Sequence, residues 1–245
     1  TIAAYQPEVA GGLVAGLVFD GDSDRIAAVD GRGQFLSSQI LIPILIDHLT
    51  QVHGYSGEVI KTISGSNLIP QVAALHDLPL HETAVGYKYI ADRMLESQAL
   101  IGGEESGGVG YGHHIPERDA LLSALYVLEA VVKSGMDLSD RYRQLQEKTG
   151  YFSDYDRIDL PLPNMTIRDQ LLQELQTNCP QTVAGKAVTH CLSIDGYKLT
   201  LADGSWLLIR FSGTEPVLRL YSEASTLEEV HKHLNWAKDW ATAIG

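Results

Sequence analysis

Asp20, Asp22 and Asp24 stand at alternate positions in residues 20–25, which directly follow the apolar residues 13–19. The apolar residues predict a buried strand, so the three aspartates lie in the loop that begins at its end. Carboxylates held this close repel one another, and a divalent cation between them offsets the repulsion. Mg²⁺ is the predicted ion, since a few carboxylates with water or phosphate oxygens complete its octahedron. We call residues 20–25 the metal loop.

Arg25, the last residue of the metal loop, indicates the kind of ligand that the metal meets. A guanidinium beside a cation suits an anion that the cation also touches, most simply a phosphate. An EF-hand is excluded, because Arg25 and Gly31 stand where that loop carries glycine and glutamate. A metal-dependent phosphatase with Asp20 as its nucleophile stays an alternative, although Asp24 stands where haloacid-dehalogenase-type phosphatases carry threonine or valine.

A second loop, residues 102–108, is rich in glycine and follows a predicted strand. We call it the glycine loop. Its glycines allow close approach of the backbone to a ligand, and Glu104 and Ser106 place a carboxylate and a hydroxyl two residues apart. This pair suits two adjacent sugar hydroxyls. The glycine spacing matches neither a dinucleotide fingerprint nor a Walker A loop, so nucleotide binding is excluded.

A third loop, residues 210–214, combines donors that suit an anion, and we call it the phosphate loop. Arg210 offers a bidentate guanidinium, Ser212 and Thr214 offer hydroxyls, and Gly213 lets backbone N–H groups curl around an anion. Arg219, on the strand that returns from this loop, offers a second guanidinium. The pattern predicts a phosphate site.

Two further residues have side chains that suit proton transfer or anion contact. His114 precedes a predicted helix, and a histidine exchanges protons near neutral pH. Asp119 is predicted to cap that helix, which is a structural role. Lys88 lies where the predicted helix 87–96 begins, and there it can face an anion.

The composition limits the classes of function. The chain has 245 residues and a formal net charge of −13, which argues against binding nucleic acid or an anionic membrane. No apolar run has the length of a membrane span. Cys179 and Cys191 are expected to be reduced thiols of a cytoplasmic protein. The chain begins at Thr1, close to the metal loop, and we expect a longer parent protein.

Strands and helices alternate along the first part of the chain, which predicts an α/β sheet layered with helices. The predicted strands are 13–19, 26–29, 58–62, 78–82 and 99–102, and the predicted helices are 38–52, 67–76, 87–96, 118–133 and 137–148. The helix 118–133 has apolar residues on one face, namely Leu121, Leu122, Leu125, Leu128 and Val132.

The character of the chain changes at residues 149–165, which are expected to form an extended linker or an edge segment. Asp195-Gly196 and Asp203-Gly204 are hairpin turn signals. The last part therefore predicts a small α+β domain, with helices at 166–176 and 226–241 and strands at 187–194, 197–201, 205–211 and 217–222.

Taken in this order, the motifs resemble those of the α-D-phosphohexomutases, a family of phosphoglucomutases, phosphomannomutases and phosphoglucosamine mutases. The matching segments are residues 20–25, 86–88, 103–107 and 210–214. The resemblance implies the C-terminal portion of the family's pattern, with three-layer α/β/α architecture followed by a smaller α+β C-terminal domain. It assigns residues 1–34, with the metal loop, to the end of domain 2, residues 35–150 to domain 3 and residues 151–245 to domain 4.

The resemblance also implies roles for the residues described above. Mg²⁺ is the implied cofactor, and a hexose 1,6-bisphosphate is the implied intermediate and activator. The implied metal ligands are Asp20, Asp22 and Asp24, the implied catalytic residues are Arg25, Lys88, His114 and Arg118, and the implied substrate-binding residues are Glu104, Ser106, Arg210, Ser212, Gly213, Thr214 and Arg219.

The reaction that the resemblance implies is the interconversion of hexose 1-phosphate and hexose 6-phosphate through a phosphoserine. Glucose is favoured, because the Glu-Glu-Ser-Gly-Gly form of the glycine loop is similar to that of glucomutases. The family's phosphoserine motif does not occur in these 245 residues, so this chain alone is predicted to be inactive. The implied partner is the N-terminal half of the parent protein. The parent protein is expected to be a monomer or a homodimer. A non-catalytic sugar-phosphate binding module remains an alternative.

Overall fold

The computed structural model describes residues 12–213 and 215–244. The chain divides into two compact units, and the boundary along the sequence lies between Tyr151 and Phe152. Residues 12–34 belong to the first unit, and their assignment to a separate preceding domain stays a prediction. Within the described ranges, no helix combines the length and apolar character that crossing a membrane requires.

The first unit contains two sheets and the helices that cover them. An antiparallel sheet has the order β1-β2-β3, and a second sheet has the order β5-β4-β6-β7, in which β4 runs parallel to β5 and β6. The strands are β1 (Gly16–Phe19), β2 (Ile26–Val29), β3 (Phe35–Leu36), β4 (Glu58–Thr62), β5 (Leu80–Thr83), β6 (Ala99–Gly103) and β7 (Val109–Tyr111). The helices are α1 (Ser38–His53), α2 (Leu68–Leu75), α3 (Tyr87–Glu96), α4 (Ala120–Ser134) and α5 (Leu138–Thr149).

Strand β4 shows how the layers are built, because its alternate side chains enter different cores. Val59 lies in the larger core, together with residues of α1, α2, α4 and α5. Ile60 lies in a smaller core with Ile90 and Met94 of α3. Helices therefore cover both faces of this sheet, which confirms the predicted α/β/α architecture.

Helix α4 lies where the pattern predicts it, but its leucine-rich face is not the buried one. Leu121, Leu125 and Val132 are exposed, while Ala124 and Val127 pack in the core. Small residues on the buried face allow α4 to approach its neighbours closely. The short strands β3 and β7, which the sequence pattern did not predict, are too brief to show an alternating pattern of their own.

The second unit is an antiparallel sheet of order β8-β13-β12-β11-β10-β9 with two helices, which confirms the predicted small α+β domain. Strand β8 pairs with β13 and lies at an edge of the sheet, as expected for part of residues 149–165. The strands are β8 (Asp154–Pro161), β9 (Thr182–Val183), β10 (Lys186–Leu192), β11 (Tyr197–Leu201), β12 (Trp206–Phe211) and β13 (Val217–Ala224), and the helices are α6 (Met165–Thr177) and α7 (Leu227–Ile244).

Asp47 is a buried carboxylate of α1 that holds three helical segments of the first unit together. One oxygen accepts a hydrogen bond from Arg141 of α5, and the other lies 3.0 Å from Nε2 of His76, at the end of α2. The Asp47 side chain is 1% exposed, so its oxygens are shielded from water and depend on these partners.

Asp47→Ala is expected to lower the free energy of unfolding by about 3 kcal/mol, because Arg141 then keeps a largely buried charge without its partner. Urea unfolding followed by circular dichroism measures this change. The control is Asp92→Ala, at an exposed position of α3, which should change the free energy by less than about 0.5 kcal/mol. Equal effects of the two substitutions would contradict a structural role for the Asp47 contacts.

Candidate functional site

The metal loop connects β1 to β2 as a tight turn that gathers its carboxylates. The backbone N–H of Ser23 donates to the Asp20 carbonyl at 3.2 Å, and that of Arg25 donates to Oδ1 of Asp20 at 3.1 Å. Ser23 adopts a positive φ of 59°, which lets the chain reverse within this loop. Asp20, Asp22 and Asp24 each offer a carboxylate oxygen within 4.8 Å of the others.

The two oxygens of Asp24 have different surroundings. Oδ2 lies 2.8 Å from Nη2 of Arg118, whereas Oδ1 is buried and has no hydrogen-bond partner among the described residues. Burial raises the pKa of Asp24, the nearby charges of Asp22 and Asp20 raise it further, and Arg118 opposes the change. Three convergent carboxylates with one unsatisfied buried oxygen fit a hard divalent cation such as Mg²⁺.

The glycine loop is joined to the end of the metal loop by backbone contacts. The N–H of Ile26 donates to the Gly107 carbonyl at 3.0 Å, and Arg25 forms an antiparallel bridge with Gly108. Gly107 has a φ of +109°, and a Cβ there would lie 2.9 Å from the Ile26 carbonyl oxygen. A glycine is therefore required for this approach, and the structure brings the two predicted ligand loops together.

Glu104 and Ser106 form one polar group at the start of this loop. The Ser106 hydroxyl donates to Oε1 of Glu104 at 2.7 Å, and the Glu104 side chain is largely buried. Burial raises the pKa of Glu104, while the hydrogen bond from Ser106 opposes the rise. The two side chains reach the same place, as their spacing predicts, and they are already hydrogen-bonded to each other.

Arg118 connects the metal loop with the glycine loop. Besides its contact with Asp24, its Nη1 lies 3.9 Å from Oε1 of Glu104. Its guanidinium lies over the ring of Tyr87, 5.4 Å from the centroid. Lys88 was predicted as a site residue from the sequence, but Tyr87, the residue directly before it, was not. Arg25 is the second cation here, with Nε 3.6 Å from Oδ2 of Asp20.

Lys88 and His114 have their contacts elsewhere in the described part of the chain. Lys88 is exposed and its Nζ lies over the ring of Tyr89, 4.6 Å from the centroid. Nε2 of His114 lies 3.1 Å from Oδ2 of Asp119. Asp119 caps α4, because its Oδ1 accepts a hydrogen bond from the Leu122 N–H, as predicted. The structure does not bring Lys88 and His114 into contact with the metal loop.

The phosphate loop begins in the last two residues of β12 in the second unit. Arg210 on β12 lies directly opposite Arg219 on β13 in the strand register. Like charges at opposed positions destabilise a sheet unless anions balance them. Nε of Arg210 donates to Oδ2 of Asp195 at 2.8 Å, and Arg219 approaches Asp159, with 4.0 Å between its Nε and Oδ2.

The remaining residues of the phosphate loop are placed in part. The backbone N–H of Glu215 donates to the Ser212 hydroxyl at 3.2 Å. A Cβ on Gly213 would meet no atom within 4 Å, so the backbone there is open to a ligand. Thr214 lies outside the described residues.

The sequence did not single out Arg168 or assign Asp195 to the phosphate site. Arg168 of α6 donates from Nε to the Ser212 carbonyl at 3.0 Å and lies over the ring of Phe211. A groove of about 310 Å³ beside the loop is lined by Arg168, Leu172, Ser193, Asp195, Gly196, Tyr197 and Phe211. Asp195 was identified only as a turn residue, because its contact with Arg210 depends on how β11 pairs with β12.

The sequence matches two domains of one protein family. The family described as phosphoglucomutase/phosphomannomutase, alpha/beta/alpha domain III, matches residues 37–149. The family described as phosphoglucomutase/phosphomannomutase, C-terminal domain, matches residues 169–234.

Individual relatives agree with these matches. The phosphoglucomutase/phosphomannomutase of Thermococcus kodakarensis is 29% identical over 223 residues, which are 89% of this chain and 45% of that protein. The phosphoglucosamine mutase of Moorella thermoacetica is 29% identical over 223 residues, which are 91% of this chain and 46% of that protein.

A solved structure shows the same fold. The crystal structure of a candidate phosphomannomutase from Thermus thermophilus superposes with a TM-score of 0.79 at 28% identity, over 98% of this chain and 48% of that one. The chain thus spans about half the length of the relatives it matches. Together, the two domain matches and these relatives confirm the resemblance seen in the motifs: the chain belongs to the α-D-phosphohexomutase family and covers its C-terminal portion.

Proposed function

We propose that the protein to which this chain belongs interconverts hexose 1-phosphate and hexose 6-phosphate, with glucose phosphates as the favoured substrates. The observation that carries the proposal is the junction of the metal loop with the glycine loop, in which Arg118 contacts both Asp24 and Glu104. This junction supports a cation site beside groups that suit sugar hydroxyls. A phosphorylated sugar is the ligand that needs both.

In this proposal the carboxylates of Asp20, Asp22 and Asp24 hold Mg²⁺, and Oδ1 of Asp24 supplies a buried oxygen that accepts no hydrogen bond from the described residues. The ion, when bound, stabilises negative charge on a phosphoryl group during its transfer. Arg25 lies against the same carboxylates, where its guanidinium can contact the phosphate on the phosphoserine. The phosphoserine is proposed to come from the N-terminal half of the parent.

Glu104 and Ser106 are proposed to bind adjacent sugar hydroxyls, with the carboxylate accepting and the serine hydroxyl donating or accepting. Arg118 orients these groups and does not transfer protons, because a guanidinium stays protonated in proteins. Lys88 and His114 remain candidates for proton transfer. The preference for glucose rests on the Glu-Glu-Ser-Gly-Gly form of the glycine loop.

The phosphate loop is proposed to hold the phosphate that is not being transferred, through Arg210, Ser212, Gly213, Thr214 and Arg219. The opposed guanidiniums of Arg210 and Arg219 support this role, since an anion between them relieves their repulsion. Transfer from the phosphoserine to a hexose 1-phosphate then gives a hexose 1,6-bisphosphate. Return of the other phosphate to the serine releases hexose 6-phosphate.

Asp24→Asn is expected to weaken Mg²⁺ binding by at least about tenfold. Loss of a residue that only hydrogen-bonds to a metal ligand typically lowers metal affinity by about 10- to 100-fold, and Asp24 is proposed as a direct ligand. NMR titration of this chain with MgCl₂, followed at the Gly21 amide, measures the affinity. Asp92→Asn removes a carboxylate from an exposed position of α3 and should leave the affinity unchanged. Retention of full affinity in Asp24→Asn would remove this residue from the metal site.

Glucose 1-phosphate with Mg²⁺ is expected to shift the amide resonances of residues 103–107 in a saturable manner, without mutase turnover by this chain. Glu104→Gln should weaken the binding by about tenfold, because a hydrogen bond to a charged group contributes about 1.5 kcal/mol or more. Glu96→Gln, on the exposed surface of α3, is the matched control.

The outcomes of this titration separate the functional alternatives. Mannose 1-phosphate binding more tightly than glucose 1-phosphate would contradict the proposed sugar. Hydrolysis of p-nitrophenyl phosphate that is lost in Asp20→Asn would favour the phosphatase. Binding without turnover, even when the N-terminal half is supplied, would favour a non-catalytic binding module.

Arg210→Ala is expected to weaken glucose 6-phosphate binding at the phosphate loop by about tenfold or more, through loss of a bidentate donor. Asp195→Asn should have the opposite effect, because it removes the carboxylate that competes for Arg210. The amide shifts of Ser212 and Gly213 report both changes, and Lys238→Ala on the exposed face of α7 serves as control. Equal affinities in all three variants would argue against a phosphate site at this loop.

A further inference from the structure

His48, His53 and Glu129 form a cluster in the first unit that plays no part in the proposed mutase site. The two histidines lie on the last turns of α1, and Glu129 lies on α4. Both Nε2 atoms converge on one carboxylate oxygen, Oε2 of Glu129, at 3.0 Å from His48 and 2.7 Å from His53. The three ligand atoms lie within 4.8 Å of one another.

This geometry is close to that of a metal site with three protein ligands. In a tetrahedral Zn²⁺ site with bonds of about 2.0 Å, neighbouring ligand atoms lie about 3.3 Å apart. The nitrogen–oxygen distances of 3.0 and 2.7 Å would therefore need to lengthen by about 0.3 and about 0.6 Å, through a small shift of the Glu129 carboxylate. The lone pairs of two imidazoles and one carboxylate would then face a common centre.

Aromatic rings restrict the orientation of the imidazoles. The ring of Tyr55 stacks on His53 with a centroid distance of 5.1 Å, and Tyr126 meets His53 edge-on at 5.5 Å. Tyr126 also lies 6.3 Å from the ring of His48. Packed neighbours hold ligand side chains in place, which lowers the entropy lost when a metal binds.

The burial of the cluster leaves one side accessible. The side chain of His48 is 3% exposed, whereas His53 and Glu129 are 26% and 31% exposed. An ion can therefore enter from solvent, and water can complete its coordination, as in zinc sites that have three protein ligands.

We propose that His48, His53 and Glu129 bind a divalent transition-metal ion, with Zn²⁺ as the preferred ion, and that the ion fixes the end of α1 to α4. Imidazole nitrogens favour Zn²⁺ over Mg²⁺, whereas the all-carboxylate metal loop favours Mg²⁺. The first unit thus carries two cation sites of different chemistry. The zinc site rests on no residue assigned to the sugar-phosphate reaction.

The competing explanation is a hydrogen-bonded cluster, in which both imidazoles carry a proton on Nε2 and donate to Glu129. The two explanations differ in what Nε2 does when zinc is added. Binding requires Nε2 to lose its proton and moves the neutral tautomer to Nδ1–H. Imidazole ¹⁵N resonances report this change directly.

The test uses the full 245-residue chain after treatment with a chelator, in excess Mg²⁺ to occupy the metal loop. Cys179 and Cys191, whose Sγ atoms lie 3.3 Å apart, are replaced by serine so that their thiols do not bind zinc. Calorimetry with ZnCl₂ is expected to show one site per chain, and the Nε2 resonances of His48 and His53 should move together. Bound zinc should also raise the melting temperature.

Glu129→Gln and His53→Gln should each weaken zinc binding by about tenfold or more, since each removes a direct ligand. The matched control is His231→Gln, because Nε2 of His231 lies 3.1 Å from a carboxylate oxygen of Asp156 and belongs to no such cluster among the described residues. The proposal is overturned if the imidazole resonances of the parent do not respond to zinc. It is equally overturned if both ligand variants bind zinc as tightly as the parent and the control.

Discussion

Mutual repulsion of carboxylates is the constraint on which the candidate site of the first unit depends. Asp20, Asp22 and Asp24 converge in a chain that already carries a net charge of −13. Arg118 offsets part of this repulsion, because its guanidinium contacts both Asp24 and Glu104. One buried oxygen of Asp24 accepts no hydrogen bond from the described residues, so the arrangement holds the carboxylates together and leaves an oxygen that is available to the proposed metal ion.

This arrangement also depends on backbone contacts between the two loops. Gly107 adopts a conformation that other residues rarely take, and its carbonyl pairs with the N–H of Ile26 at the end of the metal loop. Helix α4 is capped by Asp119, next to Arg118, and its small buried residues pack it against the core. A change in the packing of α4 would therefore move Arg118 relative to both loops. One of the three proposed zinc ligands lies on this same helix. Binding of zinc would therefore affect the rigidity of the unit.

In the second unit, positive charges rather than negative ones are held close together. The register of β12 and β13 places Arg210 opposite Arg219, and the carboxylates of Asp195 and Asp159 balance these guanidiniums in part. An incoming phosphate would compete with Asp195 for Arg210. The affinity of the phosphate loop for phosphate would then depend on how readily Asp195 releases Arg210. It would also depend on the number of hydrogen-bond donors in the loop.

The sequence by itself determined the family and the types of most elements, because motif composition and apolar periodicity are local properties. It predicted the three loops, the α/β architecture, the edge position of residues in β8 and the capping role of Asp119. Only the tertiary structure decided that Arg118 joins Asp24 to Glu104, that Arg168 approaches the phosphate loop and that the leucine face of α4 is exposed. These features depend on strand register and helix packing between segments far apart in the chain, and the local pattern of residues does not encode such distances.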